Sequence, residues 1–267
     1  MPAIRLATWN INSVRLRAPL VQKFLKKHAP DVLCLQETKV VNELFPREIF
    51  AKLGYAHHAI HGQKGYHGVA ILSRLPFTHT ETLQFCGKED CRHISVRLAC
   101  GLELHNFYVP AGGDIPDPKK NEKFAHKLSF LEEMESRFSK MRKKRNTPVA
   151  MVGDLNVAPL EHDVWSHKQL LDVVSHTQAE TERLNAAYAT FEWQDVTRRF
   201  VPHDKKIYSW WSYRNQDWRK SDRGRRLDHI WVSPALAGAV SNHVILKEAR
   251  DWTQPSDHVP VLATIAV

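Results

Sequence analysis

The sequence predicts a protein of the mixed α/β (α+β) class, and three observations carry that expectation. Apolar runs of strand length recur along the whole chain, at 4–9, 31–35, 68–73 and 149–152. Segments with apolar residues at helical spacing separate them. The plainest is Phe124, Leu128, Leu131, Met134 and Phe138, at steps of four, three, three and four. Polar and charged side chains gather where the strands stop. With 267 residues, 43% of them hydrophobic, the chain can bury one large core. No composition shift, linker or internal repeat divides it, so residues 1–267 read as one domain.

The strand at 4–9 runs into Asn10-Ile11-Asn12, where two amides spaced by two project the same way from extended backbone. Leu16, Leu20 and Phe24 then mark a helix that Pro30 stops. The strand at 31–35 ends at Gln36-Glu37-Thr38-Lys39, which delivers a carboxylate. Residues 45–53 read as a short helix, and from Tyr55 to Val109 the texture turns to strands and turns. His57, His58 and His61 have no cysteine or carboxylate company and read as surface histidines. The glycine-punctuated loop 63–68 carries Lys64 and Tyr66. It is either a phosphate-cradling loop or a plain hairpin turn. Strands at 94–98 and 102–109 follow, and the second brings Tyr108 to its end, before Pro110 and Gly112-Gly113.

Asp117-Pro118 reads as the cap and first turn of the long amphipathic helix. The basic tail of that helix, 140–145, suits a helix C-terminus and reads as solvated. Gly153 ends the strand at 149–152, and Asp154 and Asn156 stand two apart beyond it. That pair is either part of a site or an Asx-type turn bonding local backbone. Short helices are expected at 165–173 and 180–188, and a strand at 227–233 with Asp228 near its start. A loop at 252–257 leads through Ser256-Asp257-His258-Val259-Pro260 into a last strand at 261–266.

A net charge of +9 fits a polyanionic partner, nucleic acid before acidic membrane. Arg214, Arg219, Lys220, Arg223, Arg225 and Arg226 surround Trp218 just after the aromatic run 208–213, with only Asp217 and Asp222 as acids among them. Cations for phosphates and flat rings for bases or sugars are what a nucleic-acid surface needs. No apolar run is long enough to cross a bilayer. Met1-Pro2-Ala3-Ile4-Arg5 lacks the pattern of a secretory signal, so a cytoplasmic setting is expected. Cys34, Cys86, Cys91 and Cys100 include no Cys-x-x-Cys pair. Cys86 and Cys91 are spaced for a loop disulfide, yet a reducing compartment is the expectation.

Collected, the strand-end residues are Asn10, Asn12, Glu37, Tyr108, Asp154, Asn156, Asp228, Asp257 and His258, a set that one sheet edge can bring together. This set resembles the exonuclease/endonuclease/phosphatase superfamily and, within it, the exonuclease III family of apurinic/apyrimidinic endonucleases. The resemblance rests on Thr8-Trp9-Asn10-Ile11-Asn12, Leu35-Gln36-Glu37-Thr38-Lys39, Gly153-Asp154-Leu155-Asn156-Val157-Ala158-Pro159, Arg226-Leu227-Asp228 and Ser256-Asp257-His258, in that order over nearly the whole chain. It implies a four-layer α/β sandwich, with two mixed β-sheets packed face to face and helices outside. It implies Mg²⁺-dependent hydrolysis, with Mn²⁺ as a substitute ion, of the phosphodiester 5′ to abasic sites in double-stranded DNA. A 3′→5′ exodeoxyribonuclease and a 3′-end repair activity come with it, in a monomeric, cytoplasmic protein of bacterial type acting on the nucleoid.

By the same resemblance Glu37 is the main metal ligand, with Asn10, Asp257, Asp154 and Asn156 completing the metal region. Asp154 would activate or orient the attacking water, and Asn156 would donate to a phosphate oxygen. His258 would contact the scissile phosphate, with Asp228 orienting and charging its ring, and Tyr108 would polarise the same phosphate. Asp154 and His258 both stand as the group that takes the water's proton. Asn12, Lys64, Tyr66, Arg214, Arg219 and Arg225 would hold DNA, and Trp210 and Leu227 would line a small apolar pocket for a base-free deoxyribose. The chain departs from the family at Ala111, where an Asn or Gln often reaches the phosphate, and at Arg225, where some relatives carry a tryptophan wall. Two other readings compete: a superfamily enzyme acting on inositol polyphosphates or lipid headgroups, and a non-catalytic DNA-binding homologue. The basic-aromatic block argues against the first and the filled catalytic positions against the second.

Overall fold

The computed structural model describes residues 3–215 and 217–267; Met1 and Pro2, the start of the N-terminal reading, and Gln216 lie outside them. In chain order the strands are β1 (Ala3–Asn10), β2 (Val32–Gln36), β3 (His57–His61), β4 (Val69–Ser73), β5 (Phe77–Glu81), β6 (His93–Leu98), β7 (Glu103–Tyr108), β8 (Val149–Asp154), β9 (Gln194–Asp195), β10 (Trp210–Trp211), β11 (Gly224–Arg225), β12 (Asp228–Val232), β13 (Val240–Ile245) and β14 (Val261–Ala266). The helices are α1 (Val14–His28), α2 (Arg47–Ala51), α3 (Glu122–Met141), α4 (His167–Leu170), α5 (Gln178–Phe191), α6 (Val196–Phe200) and α7 (Trp218–Ser221). None of the described helices is long and apolar enough to cross a membrane.

Two six-stranded sheets run β13-β14-β1-β2-β4-β3 and β5-β6-β7-β8-β12-β9, and β10 and β11 form a separate ribbon. Each six-stranded sheet is mixed: β1 and β2 pair in parallel, as do β7 and β8, within otherwise antiparallel neighbours. The inner faces meet through Leu6, Val32 and Ile71 from one sheet and Val96, Val152 and Ile230 from the other. Outside the first sheet α1 packs Val21 and Phe24 onto Trp9 and Leu35. Outside the second, Phe138 of α3 and Leu184 of α5 cover Phe107 and Met151. The result is helix, sheet, sheet, helix: the four-layer sandwich expected, with helices outside two mixed sheets.

Several local expectations change. Gly153 does not end its strand, which runs on to Asp154. A Cβ at Gly153 would stand 1.9 Å from the Phe107 carbonyl oxygen, and its φ is 144°, so glycine is what lets β8 lie against β7 here. Leu16, expected on the inner face of its helix, is 55% exposed, and Val14, Ala18, Val21, Phe24 and Leu25 are buried instead. Arg17 leaves helical dihedrals just before Pro19, so the register counted from Leu16 breaks there. The long helix starts at Glu122, where Asn121 accepts from Lys123 N at 3.1 Å. Asp117 instead closes a preceding turn through Lys119 N at 2.9 Å. His57, His58 and His61 belong to β3 and are partly buried. All four cysteines are free.

Candidate active site

β1 and β8 lie in different sheets, touch across the interface and end alike. Each closes an Asx-type turn: Asn12 N donates to Asn10 Oδ1 at 3.1 Å, and Asn156 N donates to Asp154 Oδ1 at 2.9 Å. The third residue of each turn is left-handed, with φ 47° at Asn12 and 52° at Asn156. The turn and the site are therefore not alternatives. The turn uses one end of each side chain and aims the other inward. Asn10 Nδ2 donates to Glu37 Oε1 at 2.9 Å and to Asp154 Oδ2 at 2.8 Å. Asn10 thus stands as a donor between two carboxylates. Its oxygen accepts from Asn12 N and keeps a second lone pair.

Glu37 follows β2 and is held from three sides. Its Oε1 also accepts from the Tyr108 hydroxyl at 2.9 Å, and its Oε2 pairs with the Lys39 ammonium at 2.7 Å. Burial alone would raise the Glu37 carboxyl, but Lys39 and Asn10 outweigh it and hold the group below its usual range. Lys39 also donates to Asn12 Oδ1 at 2.6 Å. Burial, and then the charges of Glu37 and Asp154, lift the Tyr108 phenol well above its ordinary value, so it stays a donor.

β8 and β12 pair with Asp154 opposite Asp228. His258 reaches both from the last loop: Nδ1 lies 2.8 Å from Asp228 Oδ2, and Nε2 lies 3.6 Å from Asp154 Oδ2. Ser209 Oγ donates to the same Asp228 oxygen at 2.6 Å. Burial would lower the imidazole, yet the Asp228 and Asp154 charges raise it to about 10. Burial pushes Asp154 up to about 7, against the pull of His258. The ligand atoms of Asp154, Asp228 and His258 lie within 4.8 Å of one another, close enough for a metal. Two bonds bring the last loop to β1: Ser256 Oγ donates to Asn10 O at 2.7 Å, and Trp9 Nε1 to His258 O at 3.0 Å.

Beside this cluster opens a cleft of about 510 Å³ whose wall includes Glu37, Asn156, Asp257 and His258. Trp165, Val173, Trp210 and Leu227 supply its apolar side, and Arg214, Arg223 and Arg225 its cations. Asp257 accepts from Trp210 Nε1 at 3.0 Å and from Asn12 Nδ2 at 3.2 Å, which ties the aromatic side to the polar one. Arg225 lies over the Trp210 ring and Arg223 over Trp165, at 5.3 and 4.7 Å. Two cations of the basic block go elsewhere. Arg226 is fully buried and bonded to Asp163 and Asp195, and Arg219 is held by Asp251 away from the cleft wall. Lys64 and Tyr66 are exposed on their loop, where the neighbouring His67 ring sits 6.1 Å from Tyr108.

Sequence reasoning missed Lys39, Ser209, Trp165 and Lys127. Lys39 lies inside a quoted motif. Lys127 left a signal as well: a lysine on the buried stripe of α3, between Phe124 and Leu131. Trp165 and Ser209 left none, because only the folded chain brings Trp165 to the cleft and Ser209 to Asp228.

A family model described as the Endonuclease/Exonuclease/phosphatase family matches residues 7–258. An exodeoxyribonuclease III from Haemophilus influenzae is 30% identical, over 97% of this chain and 99% of its own. Among solved structures, an AP endonuclease from Archaeoglobus fulgidus superposes with a TM-score of 0.89 at 32% identity, covering 99% of this chain and 100% of that one. A 3′ phosphatase from Neisseria, solved bound to a product DNA hairpin, gives 0.90 at 28% identity with the same coverage.

Proposed function

Because the chain belongs to the endonuclease/exonuclease/phosphatase family, in its exonuclease III branch, we propose that it is a DNA repair nuclease. It hydrolyses the phosphodiester 5′ to abasic sites in duplex DNA, removes nucleotides in the 3′→5′ direction and clears blocked 3′ ends. It does so as a monomer, and its bacterial relatives support a cytoplasmic place of action. The observation that carries the reading is a single cleft in which the Asp154–His258–Asp228 unit meets the apolar side chains of Trp210 and Leu227.

The residues divide the work. His258, charged and aimed by Asp228, offers its Nε2–H to a phosphate oxygen as negative charge builds there. Asp228 favours the charged form of that ring, and we assign the water's proton to Asp154. Its raised pKa suits a base working near neutral pH. Asn156 Nδ2 bonds Val109 O at 2.9 Å and Asp154 Oδ2 at 3.2 Å, and the longer bond is the one free to turn toward a phosphate oxygen.

The Glu37 and Asp257 carboxylates line the same cleft, and oxygens of Glu37 and Asn12 already hold a cation, the Lys39 ammonium. That donor set fits a hard divalent ion such as Mg²⁺, or Mn²⁺ in its place, once Lys39 turns away. When bound, the ion would neutralise charge on the phosphate and on the leaving oxygen. Trp210, Leu227, Trp165 and Val173 accept the base-free sugar, whereas a normal nucleotide must first leave the stack.

A duplex carrying one abasic site, incubated with Mg²⁺ and separately with a chelator, tests the proposal. Incision 5′ to the site only in the presence of the ion is the expected result. An uncut duplex alongside efficient dephosphorylation of an inositol polyphosphate would overturn it.

A further inference from the structure

Behind the cleft lies an ion pair with no solvent access. Lys127 of α3 and Glu180 of α5 are both fully buried and in direct contact. Burying two charges is costly, and apolar residues of similar size would often pack as stably. What apolar residues lack is the ability to donate. The Lys127 ammonium has three N–H groups, and each finds a partner on a different segment. It donates to Asn156 O at 2.7 Å, to Ala111 O at 3.3 Å and to the Glu180 carboxylate.

The Asn156 and Ala111 segments border the cleft, and Glu180 holds the neighbouring 173–175 wall. Asn156 belongs to the turn that aims Asp154, and the ammonium meets the carbonyl of that left-handed residue. Ala111 starts the loop after β7. Next to it, a Cβ at Gly112 would stand 2.9 Å from Lys127 Cδ and 3.0 Å from Val174 Cγ1, so this loop lies directly on the lysine stem. Glu180 accepts from Ser175 N at 2.9 Å and from Thr177 Oγ1 at 2.7 Å, which fixes the segment bearing Val173 and Val174. From the cleft side Arg225 Nη1 donates to Val174 O at 2.8 Å and Ser175 Oγ at 2.6 Å.

Resting on the reading of the cleft as a nuclease site, we infer that Lys127, paired with Glu180, is a positioning residue. It holds the Asn156 turn, the Ala111–Gly113 loop and the 173–175 wall at fixed spacing around the scissile phosphate. A misplacement of about 1 Å at such a site costs about a hundredfold in rate. The effect belongs in kcat more than in KM, because Arg223 on the rim rests on Trp165, apart from the lysine and the wall it holds.

Lys127→Met, Lys127→Arg and the double variant Lys127→Met/Glu180→Gln separate this role from plain stability. Each is assayed on the abasic duplex for kcat and KM, with a thermal melt on the same sample. Lys127→Met leaves Glu180 buried without its partner and melts early. The double variant removes both charges, keeps the Thr177 contact and melts near the parent, yet its kcat stays about a hundredfold low with KM little changed. Lys127→Arg, which can still donate to the same carbonyls, keeps more of kcat than Lys127→Met. The inference falls if the double variant recovers kcat along with its melting temperature. It falls equally if Lys127→Met retains full kcat, or if no variant lacking the ammonium folds, since the pair would then serve the fold alone. A parent that leaves the abasic duplex intact would overturn the functional reading instead.

Discussion

Two residue pairs face each other across antiparallel strands at the cleft, and they are built differently. Asp228 opposes Asp154 inside a six-stranded sheet, with both carboxylates fully buried. Trp210 opposes Arg225 in a two-stranded ribbon, half-buried at the rim. In the first pair the β7–β8–β12 ladder fixes the register, and Asn10, Ser209 and His258 hold the carboxylates with hydrogen bonds of 2.6–2.8 Å. The second is set by ring stacking and by bonds to loop carbonyls. On the proposed reading, chemistry that depends on placing a proton sits where the sheet holds it. Grip on a variable polyanion sits where side chains can adjust.

If that contrast is right, changes in the buried pair should cost turnover, and changes at the rim should cost binding or selectivity. The largest effect is expected at His258, which bridges both acids: His258→Gln should lower kcat about a thousandfold while the protein stays folded. Stopped or quenched-flow assays with a circular dichroism melt would check it.

Arg226→Met sharpens the comparison from the rim side. This arginine lies next to Leu227 in the basic block, yet it is fully buried on Asp163 and Asp195. Removing it should cost about 3–5 kcal/mol of stability in urea denaturation, as expected for breaking a buried ion network. A stability unchanged from the parent would show that the buried network adds nothing net to the fold.

Asp228→Asn should cost about a hundredfold in kcat and also move the pH profile. Burial pulls the His258 pKa down, and Asp228 is the largest of the charges that lift it to about 10. Without that charge the ring loses its proton at lower pH, so the alkaline limb of kcat should shift downward. A limb that stays in place would separate Asp228 from the charge on His258.

The smallest effect concerns the exposed cations. Arg223→Ala should flatten the salt dependence of DNA binding by about one unit per lost phosphate contact. Arg219→Ala should flatten it less, because Asp251 already engages that side chain. Equal slopes would show that the Asp251 contact opens when DNA arrives.

Much of this architecture can be read in the sequence, and the failures have physical causes. The strands around the site are fully buried apolar runs with polar ends, so Glu37, Asp154 and Asp228 announce themselves. Gly153 misleads because glycine usually weakens a strand, whereas here the closeness of Phe107 requires it. Leu16 misleads because a kink at Arg17 breaks the periodicity on which the helix face was counted. The basic block misleads most: read locally it has only two acids, but Asp163, Asp195 and Asp251 come from distant segments and turn two of its cations inward or aside. Trp165 enters the cleft from the segment before α4 and stacks under Arg223, a placement no local pattern encodes.

On this reading one buried Asp154–His258–Asp228 unit acts on whatever sugar the Trp210–Leu227 side admits. The most direct test is the ratio of kcat/KM for a duplex with one abasic site to that for the same duplex intact, measured for the parent and for Trp210→Ala. A melt on each sample establishes that both are folded. The parent should strongly favour the abasic duplex, and Trp210→Ala should narrow that ratio while keeping most of its 3′→5′ exonuclease rate. A folded Trp210→Ala protein with the parent's ratio would contradict the account.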